Sequence, residues 1–177
     1  MVRADDRRNE ILDRLADFVL THGLAAASLR PLAQAAGISD RMLLYYFKDK
    51  GEVIAAVLSR LSERLVTILD ARPARAPMPL AALQPSLAPI VFSDELWPYM
   101  QLWLEIASLA ARGDPLFRTV GNTLARGFLA WGKAQLLCET EEQLQQDAAR
   151  LLVSMEGMLL LRSVGLEDVC ARAMEQG

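Results

Sequence analysis

Residues 28–52 read SLRPLAQAAGISDRMLLYYFKDKGE and gather cations, hydroxyls and aromatic rings in a pattern suited to nucleic acid. Arg41 carries a planar fork of donors that matches guanine O6 and N7 in a major groove. Leu44 offers apolar contact to a thymine methyl group. Tyr45 and Tyr46 bring hydroxyls for phosphate oxygens, and Arg30 can reach a base edge or a phosphate from the preceding helix. Lys48 and Lys50 flank the start of a further helix, where amides, helix dipole and ammonium groups together favour a phosphate. Ser28, Ser39 and Asp40 complete the candidate contact set, and the two serines also sit where helices begin.

The elements that must position these groups are short. Ser28 opens one helix, with Pro31 tolerated in its first turn, and that helix carries Leu29, Leu32, Ala33 and Ala36. Gly37 permits a sharp turn, Ile38 plugs the space between helices, and Ser39 starts the next helix, which runs to Tyr46. This is the layout of a helix-turn-helix, whose second helix enters the DNA major groove. With Leu43 and Phe47 facing inward beside Ile38, helical phase turns Asp40, Arg41, Leu44, Tyr45 and Lys48 outward. Before them, a helix over about residues 5–21 has an apolar stripe of Ile11, Leu15, Phe18 and Val19 and ends at Gly23. After them, Asp49 and Glu52 have capping-box spacing and open a long helix striped by Val53, Val57, Leu61, Leu65 and Ile68. A structural helical hairpin would use the same inward residues; the cations on the outer face favour DNA.

Residues 5–60 resemble the DNA-binding domain of the TetR family of bacterial transcriptional regulators. The resemblance is carried by Leu32-Ala33, by Ala36-Gly37-Ile38-Ser39 and by Leu43-Leu44-Tyr45-Tyr46-Phe47-Lys48-Asp49-Lys50. The family pattern at the end of the second helix is Leu-Tyr-aromatic-His-Phe, then a polar spacer, then Lys-Glu. Here Leu44 replaces the first Tyr, Tyr46 the His and Gly51 the Glu, leaving Tyr45 and Lys50 as the better phosphate contacts. The resemblance implies a helical homodimer, usually a repressor, whose larger C-terminal domain dimerises and binds an effector. It implies three partners: a double-stranded, partly palindromic operator, a second copy of the chain, and a small molecule. The alternative is a non-catalytic helical interaction protein whose helix-turn-helix has lost DNA binding.

The rest of the chain reads as all-α. Leu and Ala dominate and no stretch alternates with period 2 for long. The expected domains are a helix-turn-helix domain over residues 1–52 and a helical-bundle domain over 53–177, joined by the helix over about 50–70. Five prolines between residues 73 and 89 predict a connector over 71–79 and an interrupted helix over 80–92. Further helices are expected over 96–112, from Asp114-Pro115 to about 137, from the Thr140 cap to about 164, and from Glu167. Tyr99, Met100, Trp103, Glu105, Phe117, Met155 and Met158 would wall an effector pocket, with Glu105 as polar anchor for a cation; ordinary core packing is the competing reading. Val120, Leu124, Phe128 and Trp131, with Leu144, Ala148, Leu151 and Met155, form stripes for a core or a four-helix dimer interface.

Composition excludes much else. One His, His22, and two dissimilar cysteines, Cys138 and Cys170, offer no catalytic triad, disulfide framework or zinc spacing. We expect no enzyme activity, metal or cofactor. The charged N-terminus and the lack of an apolar run of roughly 20 residues point to a cytoplasmic protein outside the membrane. The net charge of −3 argues against nucleic acid until it is divided: residues 1–60 carry +1 and residues 61–177 carry −4.

Overall fold

The computed structural model describes residues 2–71 and 76–174, with side chains from Asp6 onward. Nine helices account for the fold among them: α1 (Val2–His22), α2 (Leu29–Ala36), α3 (Asp40–Tyr46), α4 (Lys50–Asp70), α5 (Leu80–Val91), α6 (Trp97–Ala111), α7 (Pro115–Gln135), α8 (Glu141–Ser163) and α9 (Glu167–Met174). The expected all-α class holds. Residues 72–75 of the expected connector lie outside the described residues.

The helix starts follow side-chain chemistry. Ser39 Oγ accepts the Met42 N–H, Asp49 Oδ1 the Glu52 N–H, Asp114 Oδ1 the Leu116 N–H and Thr140 Oγ1 the Gln143 N–H. Each satisfies an amide that the first turn of a helix leaves orphaned. Ser28 stands at the N-cap of α2 but makes no side-chain capping bond. At the other end of α2, Gly37 adopts the left-handed conformation at φ 69°. Its N–H bonds Gln34 O and the Ile38 N–H bonds Ala33 O, which closes the helix and turns the chain.

The chain forms two compact units: residues 1–72 with 101–121, and residues 73–100 with 122–177. This division differs from the expected boundary after residue 52, because α4 and residues 101–121 belong with the helix-turn-helix. In the first unit α1 packs along α4 and α2. Ile11, Leu15, Val19, Leu32, Leu43, Phe47, Val53 and Val57 are almost fully buried. Arg64 on α4 bridges two carboxylates of α1, at 2.6 Å from Asp17 and 2.8 Å from Asp13. Arg14 donates to the Ala36 carbonyl at 3.1 Å, tying α1 to the end of α2.

In the second unit Leu83 and Leu87 of α5 meet Ala148 and Leu151 of α8 and Leu136 in one buried cluster. Met78 joins the segment after α7 through a parallel bridge, its N–H on Gln135 O and its carbonyl accepting from Leu137. The Arg162 guanidinium lies over the rings of Phe92 and Trp97. The expected interruption over 80–92 is absent, since α5 runs continuously through Pro85 and Pro89. Both prolines are exposed and one turn apart, while Leu83, Leu87 and Ala88 are buried.

A Cβ at Gly37 would meet nothing closer than Arg14 Nη1 at 3.5 Å, so the cost of a side chain there is backbone strain alone. Gly37→Ala should therefore lower stability by about 1–2 kcal/mol, seen as a lower urea midpoint at unchanged slope.

Candidate nucleic-acid interface

The outward face of α3 is set by what lies beneath it. Leu43 is fully buried and Phe47 is 1% exposed. The Arg8 guanidinium stands over the Phe47 ring at 4.6 Å, so α1 closes this small core from the other side. Helical phase then forces the remaining side chains out. Arg41, Leu44 and Tyr45 are exposed, Tyr45 to 78%. Tyr46 is half-buried and meets the Tyr45 ring edge-on at 5.3 Å. Ser28, Arg30, Ser39, Asp40, Lys48 and Lys50 are all exposed. Met42, absent from the expected contact set, is 42% exposed. It lies three residues before Tyr45, a spacing that places it on the same face.

The start of α4 differs from the expected phosphate cradle. Glu52 Oε2 accepts the Lys48 N–H at 2.7 Å, while the Glu52 N–H is taken by Asp49. Two carboxylates thus stand at this helix start, and the Lys48 and Lys50 ammonium groups supply the charge that attracts a phosphate there.

The residues expected to wall a pocket are divided. Glu105 and Phe117 line a cavity of about 590 Å3 within the first unit. Trp103, half-buried, is in that unit but does not line the cavity; Tyr99, Met100, Met155 and Met158 belong to the second unit. Glu105 Oε2 accepts the Leu24 N–H at 2.8 Å, a contact across 81 residues of sequence.

The residues expected at a dimer interface differ in burial. Ala148 and Leu151 are buried, and the partly buried Trp131, Leu144 and Met155 pack against their cluster. Val120, Leu124 and Phe128 are half-buried. The face of α8 left open is Ala149, Val153, Gly157 and Leu160, with Val153 71% and Leu160 58% exposed. On α7 the open small residues are Gly127, Ala130 and Ala134. A Cβ added at Gly127 or Gly157 would meet nothing within 4 Å.

Residues 11–57 match the family model of bacterial regulatory proteins of the tetR family. Residues 11–57 carry the N-terminal region of a TetR-family regulator. The chain is 22% identical over 160 residues to the HTH-type transcriptional regulator PksA of Bacillus subtilis (strain 168), covering 88% of this chain and 78% of that protein. Its fold matches the TetR transcription regulator from Haloarcula marismortui ATCC 43049 at a TM-score of 0.70 and 21% identity, over 97% of this chain and 96% of that one. It also matches the multidrug binding protein EbrR complexed with proflavin at a TM-score of 0.68 and 23% identity, over 94% and 98% of the two chains. Proteins of this kind regulate transcription and are not enzymes.

Among the described residues no group of His, Cys, Asp and Glu is placed to hold a metal ion, and no helix is long and apolar enough to cross a membrane. Cys170 is a buried free thiol. Cys138, also free, faces the buried Asp147 carboxylate. Desolvation, then that charge, push its pKa up, which disfavours the thiolate that oxidation requires.

Proposed function

We propose that this protein is a TetR-family repressor that holds a partly palindromic operator as a homodimer and releases it when a small-molecule effector binds. One observation carries the DNA reading: Arg41, Leu44 and Tyr45 project together from α3 because Leu43 and Phe47 are locked beneath them. Arg41 reads a guanine, and Leu44 and Met42 give apolar contact to thymine methyl groups. Tyr45, Tyr46, Lys48 and Lys50 hold phosphates and set the register, with Arg30 and Ser28 adding contacts from α2. Ser39 and Asp40 stand at the start of α3, where a recognition helix meets base edges.

A single head of this size makes too few contacts for tight specific binding, which favours a dimer. The interface is assigned to the open faces of α7 and α8. Gly127, Ala130 and Ala134 with Ala149, Val153, Gly157 and Leu160 offer two apolar rows of small residues, in the manner of a four-helix bundle. Effector release is supported by the similarity to EbrR, a multidrug binding protein crystallised with proflavin.

A mobility-shift titration with the DNA upstream of its own gene tests the reading. No shift at any salt concentration would favour the helical interaction protein. Arg41→Ala should cost about 1–3 kcal/mol on the operator and relax preference at one base pair. Lys50→Ala should weaken binding on every sequence and reduce the salt slope by roughly 0.9, and an unchanged slope would remove Lys50 from the phosphate contacts. Val153→Glu places a charge on an exposed face, so the fold should melt normally while sedimentation shows a monomer and operator affinity falls.

A further inference from the structure

The cavity of the first unit lies beside the reading head, yet among the residues assigned to DNA only Lys50 touches it. Its volume falls in the range of small-molecule sites, roughly 300–1,000 Å3. Three elements line it, leaving one side open to solvent: the turn after α1 through Leu24 and Ala27, the start of α4 through Lys50 and Ile54, and the α6–α7 corner through Glu105, Leu109, Leu116 and Phe117. The apolar walls suit a hydrocarbon or aromatic body.

The polar groups select the sign of the ligand. At the start of α7 the Leu116 and Phe117 amides both bond Asp114 Oδ1, at 2.9 and 3.3 Å. At the start of α4 the Lys48 and Glu52 amides are taken by side-chain carboxylates. Those backbone donors are already used, and the single cation of the lining, Lys50, is exposed to solvent. The walls still offer acceptors: the Glu105 and Asp114 carboxylates and the Ser108 hydroxyl. A carboxylate has about four lone-pair sites, so Glu105 can accept more than the Leu24 N–H.

We propose that this cavity binds a small ammonium compound with an apolar body, its cationic head on Glu105 and its body against Leu109, Leu116 and Phe117. Glu105 is also the group that holds the α1–α2 turn. Gly23, at φ 76°, makes that approach possible, since a Cβ there would lie 2.6 Å from Glu105 Oε1. A ligand head group therefore shares with the Leu24 N–H the carboxylate that holds the turn, and occupancy biases the turn that leads into the helix-turn-helix. It does so only as far as the ligand binds the two arrangements unequally. The site is argued from the cavity alone; its effect on DNA rests on the regulator reading above.

Calorimetry on the full chain with three probes of one shape tests the site: 4-phenylbutylammonium, 4-phenylbutanol and 4-phenylbutyrate. The ammonium should bind about tenfold or more tighter than the alcohol, because a hydrogen bond to a charged group carries the difference, and the carboxylate should bind weakest. Glu105→Gln keeps an acceptor for Leu24 but loses the charge, so the preference for the ammonium should vanish while alcohol binding stays. Leu109→Trp fills the cavity and should abolish binding of all three; should it fail to fold, the Gln variant still decides. Butyrate binding as tightly as the ammonium, no ammonium binding, or an unchanged preference in Glu105→Gln would overturn the assignment. In the mobility shift the ammonium should loosen the upstream DNA from the wild type and not from Glu105→Gln; binding without loosening would overturn the link to the reading head. If the chain bound no DNA at all, the regulator reading would fall and the calorimetric preference would still decide the cavity.

Discussion

Everything the reading head presents depends on how two side chains are buried. Leu43 on a helix of only seven residues and Phe47 at its C-cap fix the rotation of α3, which packs on α2. A helix that short has little stability of its own, since nucleation costs more than its few hydrogen bonds return. Packing supplies the rest, and it sets direction as well as stability. Rotating α3 by one residue would bury Arg41 or Leu44 and expose Phe47. The Arg8 guanidinium over the Phe47 ring adds a charged lid on the same core, so α1 takes part in aiming α3 without touching its outer face.

Charge is handled with similar economy. The first 60 residues carry only +1, and Asp40, Asp49 and Glu52 stand among the candidate contacts. Two of these carboxylates are committed to backbone amides at the start of α4, and Arg64 and Arg14 are committed to α1 and to the end of α2. The cations left on the outer face are few and individually placed. Such a surface attracts DNA weakly through its general field and relies on geometry at particular phosphates and bases.

The head was legible because its signals are local. Gly37 with Ile38 and Ser39, Asp49 with Glu52, and Thr140 with Gln143 declare turns and caps within four residues, and each is found as read, with the Ser28 side chain the exception. Long-range pairings left no such mark. Glu105 meets the Leu24 amide across a gap that no periodicity bridges. On α8 both faces carry apolar residues at helical spacing. Leu144, Ala148, Leu151 and Met155 compete with Ala149, Val153, Gly157 and Leu160, and only packing against α5 and Leu136 decides which row turns inward. The prolines misled for a related reason: their cost depends on whether the freed carbonyls reach water, a property of the tertiary surface.

Those prolines also bear on the order in which the chain acquires structure. A twelve-residue segment with Pro85 and Pro89 inside it lacks two hydrogen bonds and cannot hold a helix by local propensity. Its helicity is lent by Leu83 and Leu87 seated against Ala148 and Leu151, residues that come more than fifty positions later on the ribosome. The segment therefore stays uncoiled until α8 has emerged, and α5 becomes a late arrival whose appearance marks the completion of the second unit.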